Sequence, residues 1–131
     1  MRTLLHHPLS LAVVGLLSFP ASPGALAQNN KAAASDAQKT AYELSIKCYV
    51  ANAYAASDRR YGVNGTAVAQ FQSQAQKSYR YIVQLGQAIA RADALVREDI
   101  DSFKAVMTGS FKREPKAFEQ VRGQCVQFGL M

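Results

Sequence analysis

Past position 7 the chain contains no histidine, and it has no tryptophan anywhere. His6 and His7 both fall within a segment that reads as an export signal. Arg2 gives a positive start, Leu9 to Leu17 is an apolar run of signal-core length, and Pro20, Ser22, Pro23 and Gly24 break it. Ala25-Leu26-Ala27 then supplies the small residues of a cleavage site, so residues 1–27 are expected to be removed before Gln28. The apolar run is too short to span a bilayer, which makes an uncleaved anchor the second reading.

The absence of histidine from the remaining chain excludes Ser-His-Asp and Cys-His catalysis and every histidine-bearing zinc, copper or iron site. There is no C-x-x-C-H for covalent haem and no glycine-rich nucleotide loop. Of four prolines only Pro115 lies beyond the signal. A chain this poor in proline and rich in alanine, glutamine, lysine and arginine is helical by propensity. No cofactor and no metal ion is expected.

What the chain does have is a set of three-four apolar seams. Residues 28–34 read as a small, polar leader without structure. Ser35-Asp36-Ala37-Gln38 matches a capping box and is expected to open a first helix that runs to about Ala56. Its inward face is expected at Ala37, Ala41, Leu44, Cys48, Ala51 and Ala55. Asp58 to Gly65 reads as a turn. In a eukaryotic host, Asn64-Gly65-Thr66 within it is also a glycosylation acceptor.

A second helix is expected from Thr66 to about Ala90, inward at Val68, Phe71, Ala75, Ser78, Ile82, Leu85 and Ile89. A third is expected from Asp93 to Met107, inward at Val96, Ile100, Phe103 and Met107. The junction between them carries neither glycine nor proline, so one long helix from Thr66 to Met107 is the alternative. Pro115 suits the first position of a last helix whose face is Phe118, Val121, Cys125 and Phe128. The expected fold is all-α. It is a small antiparallel bundle of four helices over residues 35–131, with a three-helix arrangement second.

Cys48 and Cys125 fall on inward seams of the first and last helices, and an even cysteine count in an exported chain reads as a structural disulfide. Without a nearby histidine or a C-x-x-C pair, a redox or thiol-nucleophile role has little support. The compartment expected is the periplasm or the exterior.

The net charge is +6, of which Arg2 contributes one. The segments 28–58 and 93–131 are each balanced, so the excess belongs to Arg59, Arg60, Lys77, Arg80 and Arg91. Lys77, Arg80, Gln84, Gln87 and Arg91, continuing from Gln70 and Ser73, recur at helical spacing on the side away from the apolar seam. With Arg59 and Arg60 they form the expected binding face, suited to an acidic protein or an anionic envelope polymer. Tyr79 and Tyr81 beside Arg80 can add stacking. Nucleic acid is not expected as a partner, because export separates the two.

The function expected first is that of an exported, non-enzymatic interaction protein, an adaptor, an inhibitor or immunity-type binder, or a small holdase, and two others are carried. Glu98, Asp99 and Asp101 form the one acidic cluster, so an envelope hydrolase acting through carboxylates is one. A helical module that holds a small hydrophobic ligand among Phe71, Ile82, Phe103 and Phe118 is the other.

Overall fold

The computed structural model describes residues 23–131, with side chains from Asp36 onward. Four helices make the domain: α1 (Pro23–Ser57), α2 (Gly65–Ala88), α3 (Asp93–Arg113) and α4 (Pro115–Gln127). No strand occurs among the described residues. The expected signal segment lies outside the described residues as far as position 22.

Helix α1 begins well ahead of the expected cap at Ser35, so positions 28–34 fall inside its span. Pro23 stands at its first position, where a missing amide hydrogen costs nothing, and beyond Gly24 the rest of α1 contains neither proline nor glycine. Helix α2 starts one residue early because Asn64, in extended backbone, caps it: its Oδ1 accepts from the Ala67 amide at 2.8 Å. Helix α3 runs past the expected end at Met107, because a lone glycine such as Gly109 costs a helix only about 1 kcal/mol. It stops at Arg113 because Glu114 precedes Pro115 and is held extended.

Helices α2 and α3 are separate. Ala90 takes a left-handed conformation (φ 55°), and the Arg91 amide donates back to the Gly86 carbonyl at 2.8 Å. An alanine so placed costs roughly 1–2 kcal/mol, which the contacts beyond the bend must offset.

Helix α1 is the axis of the domain, packing against all three others. Tyr49 meets Tyr79, and Tyr42 lies against Gly86, so equal steps back along α1 and forward along α2 keep the pair in register: they are antiparallel. Ala51, Ala55, Ala75 and Ser78 are buried, small enough to let the backbones close. The expected seam of α1 holds at Cys48, Ala51 and Ala55, while Ala37 is exposed. Because α1 has neighbours on several sides, Tyr42, Ser45, Ile46, Val50, Asn52 and Tyr54 are buried as well.

An aromatic cluster closes the opposite end. Tyr54 of α1 stacks on Phe111 of α3 and Phe118 of α4 at 5.2 and 5.5 Å, and Tyr61 of the first turn covers Phe118 at 4.3 Å. Each such pair adds about 0.5–1.5 kcal/mol beyond its buried area.

The Cys48–Cys125 disulfide ties α1 to α4 across a Cα separation of 5.5 Å, and both cysteines are fully buried. Such a bond is compatible with an oxidising compartment. Phe128, expected inward, is instead 46 % exposed. Gly129 (φ 74°) turns the chain back, so that the Leu130 amide reaches the Cys125 carbonyl and the Leu130 side chain takes the buried place. Asn52, wholly buried, donates from Nδ2 to the Leu130 carbonyl at 2.7 Å. Among the described residues no helix is long and apolar enough to cross a membrane.

Candidate functional site

Three of the seven residues of the expected basic face, Arg60, Lys77 and Arg91, make contacts within the fold. Arg60 folds back on its own turn. Its Nε and Nη2 donate to the two oxygens of Asp58 at 3.0 and 2.9 Å, and Nη2 also donates to the Tyr54 hydroxyl at 2.7 Å. These bonds hold the Asp58 carboxyl well below the usual carboxylate range. Lys77 donates to the Gly129 carbonyl at 2.8 Å and so secures the C-terminal turn. Arg91 makes a bidentate pair with Asp99, Nη2 to Oδ1 at 2.7 Å and Nε to Oδ2 at 2.9 Å. Three of the five cations therefore serve the fold.

Arg59 and Arg80 remain, with no acceptor among the described residues, and Gln84 and Gln87 are exposed. Arg80 sits at a groove of about 740 Å³ along the α1–α2 seam. Ala53, Ala56 and Ala75 give it a shallow floor, Gln72 and Gln76 its amide rim, and the Tyr49–Tyr79 pair, 5.8 Å between centroids, one end. No carboxylate lines it. Tyr79 and Tyr81 stay 44 % and 41 % exposed. Tyrosine and arginine are the side chains most often found carrying the energy of protein interfaces.

Seam periodicity does not mark the alanine floor, because neither Ala53 nor Ala56 is a seam position of α1. The small residues there, facing the tyrosines, were the available signal.

The acidic cluster is divided. Asp99 accepts from Arg91 and from the Tyr42 hydroxyl, the latter at 2.7 Å, and Arg91 is the main reason its carboxyl is held below the ordinary range. It is therefore an ionised structural anchor. Glu98 and Asp101 line an open depression on the outer side of α3 with Arg97. Glycoside chemistry requires two carboxylates facing each other across a cleft; these two share one helix face.

Among the apolar residues weighed for ligand binding, Ile82 and Phe118 are fully buried in the core, with Phe71 and Phe103 packed against it. Phe103 also lines a second groove, of about 580 Å³, between α3 and α4. Comparison of the chain with family models, curated proteins and solved structures gives no match.

Proposed function

We propose that this protein is an exported, non-enzymatic binding protein of the periplasm or exterior, released from a signal that ends at Ala27, which recognises an acidic protein surface. The observation that carries the reading is Arg80, without an internal acceptor, beside the Tyr49–Tyr79 pair in a groove free of carboxylates. Aromatic faces supply contact area at low conformational cost, and a cation at the edge of the groove selects the charge of the partner. Arg59, at the start of the same acid-free segment, adds to the field. The buried disulfide fits an oxidising destination.

The test is capture from an envelope extract on the oxidised protein, across a salt series, with Arg59→Glu/Arg80→Glu alongside. A specific acidic protein, released as salt shortens the Debye length below about 8–10 Å, is expected on the parent and absent from the variant. Equal capture by both counts against this face.

A further inference from the structure

The α3–α4 groove lies apart from the proposed binding face. Glu114 alone connects α3 to α4, and the groove runs between the two helices from Phe111 and Ala117, beside that connection. From there Phe103, Val106 and Met107 line one wall, and Val121 stands on the other. Ser102 to Phe111 spans about 14 Å of helix. Val106 is 72 % exposed, the most open large apolar side chain among the described residues.

The one charged residue in this lining is Lys47, which reaches it from α1. Lys47 is half-buried and has neither an ion pair nor a hydrogen-bond acceptor among the described residues. Glu43, one turn earlier on α1, lines the adjoining depression and forms no ion pair with it. A groove with an apolar centre, edged by Ser102, Ser110, Gln120 and Gln124 and carrying a single unpaired cation, is complementary to an apolar tail with a single negative head. The volume falls within the roughly 300–1,000 Å³ range of small-molecule sites.

We infer that the α3–α4 groove is a binding site for a single-chain amphiphile with an anionic head, the tail lying on Phe103, Val106 and Met107 and the head on the Lys47 ammonium. The convergence of α3 and α4 on their one-residue connection at Glu114 favours a slender alkyl chain over an amphipathic helix, which is about 10–12 Å wide with its side chains. Lysine keeps its ammonium at the solvent edge while its stem lies along apolar surface, so the head need not be drawn into the core.

The test exploits the absence of tryptophan. Gln120→Trp places a lone indole on the exposed rim of the groove. Titration of the oxidised protein with a bromine-labelled dodecanoate is expected to quench that indole saturably. Adding Lys47→Gln is expected to weaken the effect about tenfold, as loss of a charge-assisted contact does. Dodecylamine, with the opposite head charge, is expected to compete poorly. Val106→Glu, at a position open enough to leave folding intact, is expected to abolish quenching, with unchanged far-ultraviolet circular dichroism as the check on folding. Non-saturable quenching, quenching unaffected by Lys47→Gln, or equal competition by dodecylamine would overturn the assignment. Since Arg59 and Arg80 are retained throughout, failure here leaves the proposed protein-binding face untouched.

Discussion

The guanidinium of Arg91 grips both oxygens of Asp99, at 2.7 and 2.9 Å, across the bend between α2 and α3. The Tyr42 hydroxyl joins from α1 by donating to the same carboxylate. Three elements are thus fastened at one point, beside the residue with the left-handed backbone, Ala90.

This junction should give the domain a distinct pH profile. Burial, then the bond to Asp99, pushes the Tyr42 phenol from 10.0 up to about 12. The folded-state pKa is raised, so its contribution is complete below pH 10 and is lost as pH climbs towards about 12. The Asp99 pKa is lowered, so its contribution is present above the ordinary carboxylate range and is lost as pH falls through the depressed value. Stability from urea unfolding should therefore be flat near neutrality and fall at both extremes. Tyr42→Phe should cost about 1 kcal/mol at pH 7 and remove the Tyr42 share of the alkaline fall, leaving that of Tyr54, whose phenol is also raised by burial.

Cutting the disulfide should be far more damaging. Closing a loop of this length, with a sequence separation of 77, is credited with about 4–5 kcal/mol at most by the chain-entropy view. Cys48→Ser/Cys125→Ser should lower the urea midpoint accordingly. Because both sulfurs are buried, the native protein should resist reductant until it is partly unfolded, which thiol trapping against urea concentration would show.

Asn52→Ala should release the C-terminal turn. It deprives the buried Leu130 carbonyl of its Asn52 donor, at a cost of about 1–3 kcal/mol. Hydrogen exchange at the Gly129 and Leu130 amides should rise before that of α2. Equal protection in both proteins would mean that Lys77 and the helix end suffice to hold the turn.

Arg60 and Arg80 should separate stability from recognition. Arg60→Gln is expected to loosen the Asp58 turn and leave capture intact. Arg80→Glu is expected to weaken capture by at least about tenfold, as interface hot spots do, with the melting curve unchanged. Thermal unfolding and salt-resolved capture of both variants would decide it.

These residues also mark how far the sequence could be read. Where one side chain decides an element, the reading succeeded. Pro115 opened α4, Ala75, Ser78 and Ile82 marked the inner face of α2, and the paired cysteines were found by their seams. Helix α1 begins ahead of the capping signal at Ser35 because alanine propagates a helix through such a signal as readily as it begins one. Periodicity points Phe128 inward, but Gly129 turns the chain and hands the buried position to Leu130.

The charged face shows the same limit. Lys77, Arg80 and Arg91 share a stripe along the chain, but only tertiary structure reveals that Gly129 and Asp99 occupy two of them. Arg60 differs, since Asp58 two positions away was a local signal.

The bond between Cys48 and Cys125 also decides what a protease could achieve. Val63, in the first turn, is 68 % exposed, and a cut there falls within the loop that the bond closes. The two pieces would stay one molecule, with α1 still joined to α4. Such a nick would be silent by mass, apart from one added water, until a reductant was supplied. A domain closed in this way can persist where peptidases are abundant, having lost a peptide bond but not its connectivity.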